Sequence, residues 1–158
     1  MKIIASLLFA LFSAPAFADK LPPAVTKTLD AWHIAAAKSN EEQYFSYFSS
    51  DAVFLGTDPK ERWTKDDFRK WAHPIFAKGK GWEIKATKRH VFLSGDKKTA
   101  WFDEDAESKQ LGPVRGSGVL VLEKGKWKIS QYNLSVPIPN DKFDEARKLF
   151  DLKPAKKE

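Results

Sequence analysis

The chain has 158 residues, a formal net charge of +6, 42% hydrophobic residues and no cysteine. That length bounds it to one domain with a core of useful size, and the missing cysteines exclude a disulfide framework, thiol chemistry and a lipid-accepting cysteine. Its lysines and arginines alternate with acids and are locally concentrated only at Lys153-Pro-Ala-Lys-Lys157, so the charge reads as solvation and not as a nucleic-acid footprint.

Residues 1–18 have the pattern of a cleaved signal peptide. Lys2 gives a positive start, Ile3 to Phe12 an apolar run, and Ala16-Phe17-Ala18 a small-residue cleavage pattern before Asp19. The run falls short of the roughly 20 residues of a spanning helix, which argues against a stable membrane anchor. The expectation is a periplasmic or secreted protein, with one domain over 19–152 and a basic tail over 153–158.

After Leu21-Pro22-Pro23, the segment Ala24 to Lys38 places Val25, Leu29, Trp32 and Ala36 at helical spacing. Ser39-Asn-Glu-Glu42 matches a capping box and predicts a second helix through Phe48, with Tyr44, Phe45 and Phe48 on its apolar side. Ala52 to Leu55 reads as a strand stopped at Gly56, and Thr57-Asp58-Pro59 as a turn. A third helix is expected from a Thr64 cap, with Asp66 and Asp67 in its positive first turn and Pro74 kinking or ending it near Ala72.

Beyond Lys78 the period changes to two. Turn signals at Lys78-Gly-Lys-Gly81, Ser94-Gly-Asp96, Glu107-Ser-Lys-Gln110 and Lys124-Gly125 delimit extended segments at Trp82–Leu93, Thr99–Ala106, Val114–Glu123 and Lys126–Val136. Short connections imply an antiparallel meander. In the last strand Trp127 and Ile129 share one parity while Tyr132, Leu134 and Val136 share the other, which predicts a bulge or strong bend able to help enclose a cavity. Asn140 is placed to cap a short terminal helix carrying Phe143, Leu149 and Phe150. Helices followed by a curved antiparallel meander make an α+β fold.

That order of elements, with Asp51-Ala-Val-Phe-Leu-Gly-Thr-Asp58, Glu61-Arg62-Trp63, Ala100-Trp101-Phe102, Arg115-Gly-Ser-Gly-Val119 and Trp127-Lys-Ile-Ser-Gln-Tyr-Asn-Leu-Ser135, resembles the SnoaL-like branch of the nuclear-transport-factor-2-like superfamily. The resemblance covers nearly all of the chain after the signal. It implies a cone: a strongly bent antiparallel sheet around N-terminal helices, a pocket at the open end, and often a homodimer through the sheet. Members include cyclases, isomerases, dehydratases, ligand binders and assembly domains, so the resemblance does not fix the chemistry. No complete version of the catalytic sets of its enzymes is present.

Several residues invite a functional reading. Trp101, Asp103 and Asp105 share one strand face, opposite Ala100, Phe102 and Glu104. If the Trp101 face lines the cone, Asp103 would be a desolvated acid suited to act as a general base; otherwise it is a solvated surface acid. Arg115 would pair with Asp103 across the sheet, hold an anionic ligand or fix register. Gly116 and Gly118 leave room for close approach, and the glycine missing two residues before Ser117, with a strand continuing where a helix should follow, excludes a hydrolase nucleophile elbow. Asp58 and Arg62, with Trp63 adjacent, are candidates for a pocket rim, with an Asx-turn and surface ion pair as the alternative. His33, His73 and His90 lack metal-ligand spacing, and His33 is the histidine that would serve as a pocket base.

The leading expectation is a small, partly apolar molecule held between Trp32, Tyr44, Phe48, Trp63, Trp101, Asp103, Arg115 and Tyr132, with no cofactor. The runner-up is an isomerase or lyase using Asp103 or His33, with Arg115 or Tyr132 stabilising negative charge. A third possibility is a dimeric assembly module.

Overall fold

The computed structural model describes residues 22–150. The expected signal peptide and the basic tail lie outside the described residues. No helix among the described residues is long and apolar enough to cross a membrane.

Helix α1 (Pro23–Ala37) begins where sequence expects it, with proline at its first position replacing a backbone N–H that would have had no partner. Its buried face carries Val25, Leu29, Trp32, His33, Ala35 and Ala36. The residue expected to cap the next helix, Ser39, instead turns the chain with φ 53°. Its Oγ accepts the Gly81 N–H at 2.9 Å, and Asn40 caps α2 (Glu41–Ser46) by accepting from Gln43 N. Gly81 is required there because a Cβ would meet the Ala36 carbonyl oxygen at 2.1 Å.

Helix α2 stops two residues before its expected end, since Phe48 already belongs to strand β1 (Phe48–Leu55). A tight turn leads to β2 (Arg62–Thr64) and to α3 (Lys65–Phe76), which Thr64 caps as expected by accepting from Asp67 N. Pro74 does not break α3 near Ala72, and the helix runs on to Phe76. Proline removes one N–H from the last turn, where few further bonds remain to be lost.

The meander follows as β3 (Ile84–Leu93), β4 (Thr99–Ser108), β5 (Gly112–Glu123) and β6 (Lys126–Ser135), antiparallel throughout. The complete sheet has the order β2-β1-β6-β5-β4-β3. It is mixed and not purely antiparallel, because β1 runs parallel to β6, with Phe54 opposite Tyr132. The parity switch expected in the last strand is present: Val119 faces Gln131 while Leu120 faces Ile129, leaving Ser130 as the extra residue. A second shift falls at Thr87 in β3. These irregularities bend the sheet over α1, α2 and α3. The chain then ends in a 3-10 turn at Asn140–Lys142 and a short helix, α4 (Phe143–Leu149), whose Phe143 and Leu149 are exposed.

The core is largely aromatic. Trp32, Tyr44, Phe45, Phe48, Phe54, Phe68, Phe76, Phe102 and Tyr132 are all buried between helices and sheet. Phe54 lies at a ring-centroid distance of 4.0 Å from Phe68, a stacked contact that ties β1 to α3.

Candidate functional site: an aromatic cavity with a buried ion network behind it

Between the helices and the bent sheet lies a cavity of about 180 Å3, small beside the roughly 300–1,000 Å3 of drug-sized sites. Its wall is built from every layer of the fold. Trp32 comes from α1, Tyr44 from α2, Phe68 and Trp71 from α3, Phe54 and Trp63 from the β1–β2 pair, and Tyr132 and Leu134 from β6. Trp82, Ile84 and Leu111 close one side, and Gly56, Thr57 and Glu61 form part of the edge.

The rings support one another. Trp63 stacks on Phe68 at 5.4 Å and on Trp71 at 5.0 Å, while Phe68 lies 5.8 Å from Trp82. Trp63 turns inward because Arg62 and Thr64, its neighbours on a three-residue strand, take the opposite face. At the deep end, the Tyr44 hydroxyl and the Trp32 indole N–H are buried and have no hydrogen-bond partner among the described residues. Burial, with a smaller push from Tyr132, moves the Tyr44 phenol well above its usual pKa. The Trp82 and Trp32 indoles lie near enough to oppose that shift without making a full hydrogen bond. A buried indole N–H and a buried hydroxyl thus stand unpartnered on residues of a largely aromatic chamber.

Behind Tyr132 is a second, closed constellation that the sequence does not announce. Glu104, with 0% exposure, receives His33 Nε2 at 2.7 Å on Oε1 and Arg89 Nε at 2.7 Å on Oε2. Arg89 Nη1 also donates to Asp30 Oδ1 at 2.7 Å, carrying the network from the interior to the surface. The Tyr132 hydroxyl completes it by donating to Glu104 Oε1 at 3.4 Å. Burial alone would raise the Glu104 pKa, but His33 and then Arg89 outweigh it and hold the carboxyl below its ordinary value. Burial also works against the Arg89 charge, and Glu104 and Asp30 more than compensate. Burial, reinforced by Glu104, drives the Tyr132 phenol well up.

Among the sequence-derived candidates, Trp32, Tyr44, Trp63 and Tyr132 come together around the cavity. Tyr132 presents its ring there, and its hydroxyl is engaged by Glu104. It is therefore not free to stabilise charge on a ligand. Phe48 is buried one layer away, against Tyr44, Phe45 and Phe68, and does not line the cavity. His33 is likewise absent from the wall, being held by Glu104.

The remaining candidates lie elsewhere. Trp101, Asp103 and Asp105 occupy the outer face of β4, since Ala100, Phe102, Glu104 and Ala106 are the buried parity. Trp101 is 47% exposed and stacks on Phe92. Asp103 is opposite Ser117 and bonds to His90 at 3.0 Å, not to Arg115. Arg115, also exposed, donates to Asp105 at 3.2 Å. Arg62 faces outward over Val53 and Leu55. Asp58 is spent on its own turn, with Oδ1 accepting the Lys60 N–H at 2.8 Å. A desolvated Asp103 base and a guanidinium at the rim are thus both corrected by the strand faces. Among the described residues, no cluster of histidines and acids could hold a metal ion.

Gly116 and Gly118 do serve close approach. A Cβ at Gly116 would sit 2.4 Å from the Tyr132 hydroxyl oxygen and 3.0 Å from Glu104 Oε1, so this glycine makes room for the ion network. Gly118 similarly lets the Gln131 carbonyl and Phe102 approach.

Residues that sequence reasoning passed over include Glu61, Trp71, Trp82, Arg89 and Glu104. Glu104 was legible in principle. Its parity partners Ala100, Phe102 and Ala106 are apolar, whereas the other parity holds two acids.

Comparison with known proteins agrees with this architecture. Solved structures with the same fold include an NTF2-like protein of unknown function from Pseudomonas putida, 11% identical, covering 74% of this chain and 87% of that one with a TM-score of 0.60. A protein from Novosphingobium aromaticivorans, assigned by inference as a scytalone dehydratase, is 14% identical over 73% of this chain and 83% of its own, with a TM-score of 0.62. A calcium/calmodulin-dependent protein kinase II association domain from Xanthomonas campestris, also assigned by inference, is 21% identical over 73% and 86%, with a TM-score of 0.55. At these identities the likeness is one of fold. No curated protein matches the chain significantly. Residues 25–139 match the SnoaL-like domain, and the chain therefore belongs to the SnoaL-like family, with a fold shared by NTF2-like proteins.

Proposed function

We propose that this is an exported protein that binds a small, partly apolar molecule in the aromatic cavity. The observation that carries the reading is the pair of buried, unpartnered polar groups, Tyr44 Oη and Trp32 Nε1, on residues of a largely aromatic wall. A buried polar group without a partner costs about 1–3 kcal/mol, and a ligand oxygen that accepts from the indole and meets the hydroxyl would recover that cost. The aromatic walls would supply the apolar contact, and the polar pair the orientation. Export is supported by the Lys2, Ile3–Phe12 and Ala16-Phe17-Ala18 pattern. Pairing of two copies through the outer sheet face is supported by the exposed Phe92–Trp101 stack.

Calorimetric titration with acetophenone, a neutral ring bearing one carbonyl oxygen, is expected to show saturable binding. Leu111→Trp, which crowds the cavity edge at a half-exposed position, should weaken it by about fivefold, roughly 1 kcal/mol. Absence of saturable heat in the wild type would remove the binding reading. Native mass spectrometry of protein recovered from the periplasm or medium tests the other two proposals together. It should show a dimer of chains beginning at Asp19; an unprocessed chain would overturn export, and monomer alone would overturn pairing.

A further inference from the structure

The cavity has a charge asymmetry that its aromatic lining obscures. Among the described residues its wall contains no lysine, arginine or histidine, and its one acid is Glu61. In a chain with 27 lysines and arginines, their absence from this wall is informative. Glu61 enters no ion pair among the described residues. It is held in place by its own turn: Oε2 accepts the Asp58 N–H at 3.1 Å, and the Glu61 carbonyl accepts Gly56 N at 2.8 Å. Gly56 is needed for this arrangement, because a Cβ there would fall 2.1 Å from Glu61 Oε2. The backbone thus fixes the carboxylate of a residue that shares the cavity wall with Trp63 and Trp71, two stacked indoles.

Indole faces carry negative electrostatic potential and attract cations, most strongly when water is excluded, and a neighbouring carboxylate adds to that attraction. An anion would meet the opposite: ring faces, an acid and no base. At the other end, the Trp32 indole N–H calls for an oxygen acceptor and not a second positive charge. We propose that the cavity selects an organic ammonium ion carrying a neutral oxygen function, with the ammonium among Trp63, Trp71 and Glu61 and the oxygen at Trp32 and Tyr44. This rests on the cavity being a binding site, and adds the class of ligand it takes. The cavity volume of about 180 Å3 restricts that ligand to a small molecule. The net charge of +6 opposes a cation at long range, but beyond about 8 Å it is largely screened at physiological ionic strength, leaving the local wall to decide.

The test is a matched pair of probes, choline and its uncharged carbon isostere 3,3-dimethylbutan-1-ol, titrated calorimetrically beside acetophenone into the full protein. Choline should bind about tenfold or more tightly than the isostere. Glu61→Gln keeps an oxygen for the Asp58 N–H and should bring the two affinities to within about threefold of each other, and Trp71→Leu, at a half-exposed ring, should narrow the gap as well. Circular dichroism melts of both variants separate loss of selectivity from loss of fold. Equal or tighter binding of the isostere, or binding of acetophenone without choline, would overturn the ammonium assignment and leave the cavity a binding site for neutral molecules. Failure of all three probes would overturn both.

Discussion

His33–Glu104 and His90–Asp103 join the same functional groups through acids at adjacent positions of β4, at 2.7 and 3.0 Å, yet they have different physical consequences. The first is sealed between α1 and the sheet, with side-chain exposures of 8% and 0%; the second has 47% and 51%. Strand alternation alone puts Glu104 inside and Asp103 outside. Inside, desolvation makes a missing partner expensive, and Glu104 is accordingly surrounded by His33, Arg89 and Tyr132. Outside, water serves either member of the pair equally well, and His90–Asp103 decorates the sheet. Acid–histidine pairs therefore cannot be ranked by distance.

The largest expected difference is between the two carboxamide variants. Glu104→Gln should destabilise the protein by about 3–5 kcal/mol, because the buried Arg89 guanidinium loses its interior countercharge and the His33 contact is weakened with it. Urea denaturation measures it, and a loss below about 1 kcal/mol would show that the network is not held by charge. The pH dependence sharpens the same point. The folded-state pKa of Glu104 lies below the ordinary 4.5, so its stabilising contribution is present above the unfolded value and is lost as pH falls through the lower folded one. The acid limb of the wild-type stability curve should therefore flatten in Glu104→Gln.

A change that leaves every charge in place comes next. Gly116→Ala puts a methyl group against the Tyr132 hydroxyl and Glu104 without altering either, and should cost about 1–3 kcal/mol by thermal or urea unfolding. A neutral result would mean that Tyr132 can move aside, and that its hydrogen bond to Glu104 is dispensable. The smallest effect belongs to the outer pair. Asp103→Asn should shift stability by no more than about 0.5 kcal/mol and leave acetophenone binding unaltered, since Asp103 touches neither core nor cavity. Loss of ligand binding in that variant would break the assignment of inner and outer faces.

Much of the fold was legible because it rests on local rules. The helical spacing of Val25, Leu29 and Trp32, the Thr64 cap and the meander turns are all decided within a few residues. The bulge at Ser130 was visible too, as a change of parity between Ile129 and Tyr132. The parallel pairing of β1 with β6 was not, because nothing near Phe48–Leu55 specifies a partner so distant in the chain. Ser39 misled for a related reason: its hydroxyl answers to Gly81, in a loop that arrives only after α3. For the site, large rings were a sound guide at Trp32, Tyr44, Trp63 and Tyr132. They misled at Trp101, where one aromatic side chain outweighed the two acids on its own face. Glu61 was overlooked beside Asp58 and Arg62, because which of three neighbouring charges turns toward a cavity depends on the turn that carries them.

The parallel β1–β6 contact also governs when the molecule can fold. Until Lys126–Ser135 exists, Phe48–Leu55 has only the three residues of β2 to pair with, and neither the middle of the sheet nor the cavity wall can close. Pairings of such long sequence separation are slow to form, because loop-closure entropy is lost before any contact compensates it. A chain arranged in this way reaches its final shape only after its last strand has been made, so the order of synthesis and the order of sheet closure coincide at β6.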